Sequence, residues 1–190
     1  MPFVAKYEFE LICVNDGSKD NTKEVFDTLL KSGKYPFVKF ISHEPNGGYG
    51  HAIMAGAKAA AGEVVAWTHS DLQTPVEDVF KAYDVFISSE NKKIIVKGWR
   101  INRNLQQIIL SFGMAIIAGV VLRRKLAEIN AQPKLFPKEL VPFLDNAPKD
   151  FSLDLYLLCV ALDNGYQIKN IKVVFPNRIH GASTWAFRRC

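Results

Sequence analysis

Three things are scarce in this sequence, and each scarcity excludes a class. Cysteine occurs only as Cys13, Cys159 and Cys190. The first two sit in apolar runs and no pair has metal-ligand spacing. So sparse and odd a count, with no secretory pattern at the start, points to a reduced, intracellular setting and excludes a disulfide framework. Glycine and proline number 12 and 9 of 190 residues, too few for collagen-like or low-complexity chains, and no internal repeat occurs at any period. Long apolar runs are also missing. The strongest candidate, Ile108–Leu122, is 15 residues, short of the roughly 20 that a spanning helix needs. Arg123-Arg124-Lys125 follow it directly. That arrangement suits an interfacial helix over anionic headgroups as well as a buried core helix.

What remains is ordinary globular composition: 48% hydrophobic and 23% charged residues make one domain with a substantial core. The net charge of +5 hides an asymmetry. Residues 1–90 hold 8 lysines against 13 acids, a balance of −5, while residues 91–190 hold 16 basic residues against 6 acids, a balance of +10. All seven arginines lie at or beyond Arg100. A basic second half suits an anionic partner such as phosphate groups or a lipid surface. Nucleic acid has only the charge in its favour, because no interleaved aromatic–basic motif appears.

The first half alternates. Strands are expected at Glu10–Val14, Phe37–Ile41, Val64–Thr68 and Lys93–Lys97, with helices near Asn21–Leu30, Ala52–Ala61 and Val76–Ile87. Asp20 is the expected N-cap of the first helix. The second half reads as helical at Leu105–Ala127, after Pro137 and at Leu153–Asn164, with a last strand at Ile168–Phe175. Repeated β-α-β units imply an α/β fold, a mostly parallel sheet with helices on both faces. In such sheets ligands bind beyond the carboxyl ends of the strands.

Three polar clusters bear chemistry. Asp16, Gly17 and Ser18 follow the first strand and place a carboxylate and backbone N–H groups where a base or ribose binds; turn and capping chemistry would use the same residues. Asn46-Gly47-Gly48-Tyr49-Gly50-His51 precedes a helix and lets backbone approach a ligand, but matches neither G-x-G-x-x-G nor a P-loop. His69-Ser70-Asp71-Leu72-Gln73 would put His69, Asp71 and Gln73 on one face if the strand continued. Such an oxygen- and nitrogen-rich trio suits a divalent ion together with phosphate oxygens. His69 taken alone reads as a satisfied loop histidine.

These segments, in this order, resemble family 2 glycosyltransferases over about residues 8 to 185, and most of all the dolichyl- and polyprenyl-phosphate sugar transferase branch. Val14-Asn15-Asp16-Gly17-Ser18 is similar to that family's nucleotide-contacting segment, and Asn46–Gly56 to its N-x-G-x-G…A-x-x-x-G element. His69–Gln73 lies where the branch has D-x-D-L-Q. Gly98-Trp99-Arg100 resembles its G-x-R, Asn130–Phe136 its acceptor-side loop, and Arg178-x-x-Gly181-x-Ser183 its R-x-x-G-x-S. Asp154 matches the Asp of an E-D motif, with Leu153 in place of the Glu. His69 replaces the first Asp of D-x-D, and the family's opening strand has no counterpart before Tyr7.

The resemblance implies a GT-A, Rossmann-like fold shortened at its N-terminus, with residues 1–97 as the nucleotide-sugar half and 98–190 as the basic acceptor half. It implies inverting sugar transfer from a nucleotide sugar to a polyprenyl phosphate. The alternatives are transfer to a sugar hydroxyl in cell-surface polysaccharide synthesis, with Asp154 as general base, or a non-catalytic nucleotide-sugar-binding remnant. Asp16, Gly17, Ser18, Gly50, Ser70 and Asp71 would bind the donor. Asp71, Gln73 and His69 would hold Mg²⁺ or Mn²⁺, Arg178 the leaving diphosphate, and Arg100 and Ser183 the acceptor phosphate. The expected setting is cytoplasmic, peripheral at the inner face of a membrane, with a second copy of the chain as one means of repairing the sheet.

Overall fold

The computed structural model describes residues 6–71, 73–102, 113, 119–124 and 126–175. The α/β alternation is present: β1 (Leu11–Asp16), α1 (Thr22–Lys31), β2 (Val38–His43), α2 (Tyr49–Ala59), β3 (Val64–Trp67), α3 (Glu77–Ser88) and β4 (Ile94–Ile101) follow in order. Then come β5 (Lys134–Pro137), a 3-10 helix (Lys138–Leu144), α4 (Leu153–Asp163) and β6 (Gln167–Val174). Asp20 caps α1 from one residue further out than expected. Asn21 holds the cap position, and the Asp20 carboxylate accepts the Thr22 N–H at 3.1 Å. The expected helix at Leu105–Ala127 lies largely outside the described residues.

The strands form two hydrogen-bonded groups. β1 pairs in parallel with β2, and a second sheet has the order β3-β5-β4-β6. β4 and β6 are parallel, whereas β5 runs antiparallel to both of its neighbours. The sequence pattern reads as loop at β5. It is four residues long, opens with a lysine and has a proline at its end, so neither length nor alternation marks it.

The middle strands of the larger sheet, β4 over Ile94–Gly98 and β5, are buried on both faces, which explains the apolar run Ile94-Ile95-Val96. Successive side chains of a strand point to opposite faces. Ile94, Val96 and Leu135 accordingly pack with Ala82 and Phe86 of α3. Ile95 and Phe136 pack instead with Met54 and Ala57 of α2 and with Leu153, Leu157, Leu158 and Ala161 of α4. α1 buries none of its residues; its main anchor is Phe26, whose ring stacks on Phe40 of β2 at 4.3 Å.

Leu157 is fully buried and Val25 is 56% exposed. Leu157→Ala should therefore lower unfolding free energy by about 2–5 kcal/mol, and Val25→Ala should change it by less than about 0.5 kcal/mol. Urea unfolding of both variants checks the assignment of core and surface.

Candidate active site

The first cluster closes on itself. Asp16 ends β1, and its carboxylate accepts the N–H of Gly47 at 3.0 Å and of Gly48 at 2.8 Å, with His51 Nδ1 at 3.3 Å. Burial pushes this carboxyl up, but the two N–H donors and His51 outweigh it and hold the group below the usual aspartate range. Asn46 adds a bond from its amide to the Asp16 carbonyl. Gly17 has φ +76°, and a Cβ there would stand 2.7 Å from the Asn46 nitrogen, so only glycine lets the two loops meet. The Ser18 N–H is held by the Asn15 side chain at 3.0 Å.

The glycine-rich loop is clamped on its other side as well. Gly50 donates its N–H to the Lys149 carbonyl at 2.7 Å, and a Cβ on Gly50 would lie 2.1 Å from the Pro148 oxygen. Gly47, Gly48 and Gly50 thus spend their N–H groups within the protein. The expectation that this loop offers backbone to a ligand is replaced by a loop that fixes Asp16 and the 148–150 segment to the start of α2.

β3 stops at Trp67. Asp71 Oδ1 accepts the Gln73 N–H at 3.1 Å, a turn closed by the aspartate itself. The premise that His69, Asp71 and Gln73 share one strand face therefore fails, because the chain bends where the alternation would have to continue. Ser70 and Asp71 are exposed and His69 is half-buried. The His69 ring lies 5.9 Å from that of Tyr49, which brings this turn beside the glycine-rich loop. Among the described residues no group of three or more His, Cys, Asp or Glu side chains is arranged to hold a metal.

The second half of the chain contributes a buried polar network. Lys134, fully buried on β5, sits 2.6 Å from Asp154 Oδ1 in the first turn of α4. Tyr49 donates its hydroxyl to Asp154 Oδ2 at 3.1 Å, and Gln132 Nε2 reaches both the Tyr49 hydroxyl (3.2 Å) and Asp154 Oδ1 (3.3 Å). Burial first, and then the Asp154 carboxylate, push the Tyr49 phenol above its usual range. Burial pushes the Lys134 ammonium down, and Asp154 opposes that shift. Nearby, Arg100 pairs with Glu128 at 2.6 Å. Lys97 donates to the carbonyls of Gly98 and Glu128, at 3.3 and 3.1 Å.

The geometry joins Asp16, Gly17 and Gly50 to the turn at His69 and Asp71 through Tyr49, and Tyr49 joins both to Asp154. Arg178 and Ser183 lie outside the described residues. Sequence reading missed Tyr49, Gln132 and Lys134 as members of the site. Their one signal was a lysine inside the apolar stretch Lys134-Leu135-Phe136, where a charge demands a buried partner.

The profile of Glycosyl transferase family 2 matches residues 4–111, and the chain belongs to that family. It is 28% identical over 188 residues to a dolichyl-phosphate beta-glucosyltransferase of Trichomonas vaginalis, covering 93% of this chain and 56% of the relative. An undecaprenyl-phosphate 4-deoxy-4-formamido-L-arabinose transferase of Pseudomonas savastanoi pv. phaseolicola is 37% identical over 73 residues, 38% of this chain and 21% of the relative. The chain spans about half the length of the dolichyl-phosphate relatives it matches.

Among solved structures, a mannosyltransferase from Pyrobaculum calidifontis, in complex with GDP-Man and Mn²⁺, aligns at TM-score 0.63 and 18% identity over 87% of this chain and 47% of its own. Glucosyl-3-phosphoglycerate synthase from Mycobacterium tuberculosis, in complex with Mn²⁺, UDP and phosphoglyceric acid, aligns at 0.66 and 19% over 91% and 61%. These likenesses show the GT-A fold.

Burial pulls Lys97 down to about 7, helped by the Lys134 and Arg100 cations and opposed by Glu128 and Asp154. The unfolded lysine titrates near 10.4, so between about pH 7 and pH 10 the unfolded chain binds more protons and stability rises with pH. Below that window both states are protonated and the full cost of the buried charge is present. Lys97→Met should flatten the rise, measured by denaturant unfolding across the same window.

Proposed function

We propose that the chain carries the donor and transfer site of an inverting glycosyltransferase that moves a sugar from a nucleotide sugar to a polyprenyl phosphate. One observation carries the reading of the acceptor. Asp154, the carboxylate that the motif would assign as a base, is 1% exposed, and both its oxygens are engaged by Lys134, Tyr49 and Gln132. A hydroxyl acceptor must lose a proton to such a group. A phosphate monoester already carries roughly −1.5 to −2 charge at neutral pH, so it attacks the anomeric carbon without a base. Asp154 is then a fixed anion that sets Lys134 and Tyr49. The names of the dolichyl- and undecaprenyl-phosphate relatives support the same acceptor class.

The donor would lie over the ends of β1 and β3. Asp16 and Ser18 stand at the nucleoside side, while Ser70 and Asp71 stand at the diphosphate side. Asp71 offers the carboxylate suited to Mg²⁺ or Mn²⁺; the bend after Trp67 removes the shared strand face expected to align His69 and Gln73 with it, so other positions would fall to diphosphate oxygens and water. Bound there, the ion would neutralise charge on the leaving diphosphate. The Mn²⁺ named with both similar solved structures supports a divalent ion as the cofactor class. Arg178 is assigned to the diphosphate and Ser183 to the acceptor phosphate by their motif. Arg100 would meet that phosphate while paired with Glu128.

A lipid acceptor calls for a peripheral position at a membrane surface, expected on the cytoplasmic face. Val120 and Val121 are 72% and 73% exposed beside Arg123, the pairing of apolar and basic groups that an anionic bilayer surface attracts. No helix among the described residues is long and apolar enough to cross a membrane.

Asp71→Ala should abolish the Mn²⁺-dependent part of nucleotide-sugar binding in calorimetry; unchanged binding contradicts the metal assignment. Replacing the buried pair together, Asp154→Asn with Lys134→Met, avoids stranding one charge in the interior. Lipid-phosphate transfer by that variant should fall less than about tenfold, whereas loss of a general base costs about 10²–10⁴.

A further inference from the structure

Lys97 is a buried charge to which the transfer chemistry gives no role. Strand register sets it opposite Lys134, on β4 and β5, and both side chains are shut off from water. Like charges placed opposite each other across two strands repel. Asp154 touches one of the two, with its Oδ1 2.6 Å from the Lys134 nitrogen. Lys97 instead gives its N–H groups to two carbonyls, those of Gly98 and Glu128. A carbonyl accepts a hydrogen bond from an ammonium without cancelling its charge.

Glu128 links this charge towards the surface. Its carbonyl takes Lys97, and its carboxylate takes Arg100 Nε at 2.6 Å. The Arg100 side chain is 14% exposed and so reaches solvent, whereas Lys97 at 2% does not. Cations joined through one residue stand roughly 10 Å apart or less. The charged groups around Lys97 are Arg100 on its own strand, Lys134 on β5, Asp154 on α4 and Glu128 before β5. The Trp99 ring lies 5.8 Å from its nitrogen, and β6 sets the uncharged Asn170 opposite it. Tyr49 on α2 reaches Asp154 as a neutral phenol. Among the described residues, three cations therefore meet two carboxylates.

That imbalance decides how Lys97 responds to an anion. Burial and the two neighbouring cations bring it down to about 7, so above neutral pH the amine form predominates. A dianion at Arg100 reverses the balance and favours the ammonium. A unit charge roughly 10 Å away, at an effective dielectric of about 20, changes such an equilibrium about tenfold.

We propose that Lys97 is the charge-balancing residue for the acceptor: a phosphate monoester bound at Arg100 draws a proton from solvent onto the Lys97 nitrogen. This rests on the reading of a phosphate acceptor that meets Arg100. It makes Lys97 a discriminator of charge. A monoester carries roughly −1.5 to −2 charge at neutral pH, whereas the phosphodiester made by transfer carries a single charge. The product therefore draws up less proton and is held less tightly than the acceptor. Affinity for the monoester falls as pH climbs above about 7, because the proton it needs comes from an ever more dilute supply.

Calorimetry on the full chain tests this. A short polyprenyl phosphate is titrated in two buffers of different ionisation heat, in steps from about pH 7 to about pH 9, and the difference in heat counts the protons taken up. The ester's own second ionisation, at about pH 6, lies below this range. The methyl diester of the same lipid phosphate is the singly charged comparison. The monoester should take up about half a proton or more near pH 8, and its dissociation constant should rise about tenfold across the range. The methyl diester should take up less than half as much. Lys97→Met should bind the monoester without uptake, at about the affinity that the unsubstituted chain shows at the high-pH end. If that variant does not fold, the proton count on the unsubstituted chain decides. Monoester binding without proton uptake, or uptake that survives in Lys97→Met, overturns the role of Lys97 and leaves the acceptor reading standing. Failure of both esters to bind the folded chain overturns the acceptor reading and this inference with it.

Discussion

An ammonium and a carboxylate 2.6 Å apart, both shut off from water, hold the site in its shape. Lys134 comes from β5, an antiparallel strand in the middle of the larger sheet, and Asp154 from the first turn of α4. Removing either partner would leave an uncompensated interior charge, which costs several kcal/mol. The pair therefore fixes α4 against the sheet. Through Tyr49 it also fixes the glycine-rich loop, and that loop in turn holds Asp16 by two backbone N–H groups. One connected set of polar contacts runs from the end of β1 to the start of α4.

This connection changes what the conspicuous residues do. The glycines of the 46–50 loop read from the sequence as letting backbone approach a ligand. Gly17, Gly48 and Gly50 instead permit backbone segments to approach more closely than a Cβ allows. Asp154, the residue that matches a base by motif, is buried and paired with Lys134. Ser70 and Asp71 are exposed, as the proposed donor contacts must be, and the surplus of positive charge in the second half suits anionic partners.

Much of this was legible in the sequence. The order of strands and helices through β4 followed from apolar runs, turn residues and Gly or Pro stops. The placing of Asp16 and Asp71 at strand ends followed from the same pattern, and the ordered motifs gave the family. β5 escaped because four residues opening with a lysine and ending in proline carry no period. The role of Lys134 escaped because its partner is 20 positions away in sequence (134 to 154), a relation that only tertiary packing supplies. The division of the strands into two groups escaped for the same reason. Pairing of β1 with β2 and not with β3 is a tertiary relation that local patterning does not encode.

The central claim is that an already ionised phosphate is the acceptor. The most direct measurement incubates the full chain with Mn²⁺, a labelled nucleotide sugar (GDP-mannose and UDP-glucose in parallel) and a short polyprenyl phosphate. Organic extraction then separates lipid-linked from water-soluble product. The account predicts label in the organic phase as a sugar phosphodiester of inverted anomeric configuration, with no requirement for a free sugar hydroxyl. Transfer of label only to a soluble sugar acceptor, with the lipid phosphate left unmodified by folded protein, would contradict it.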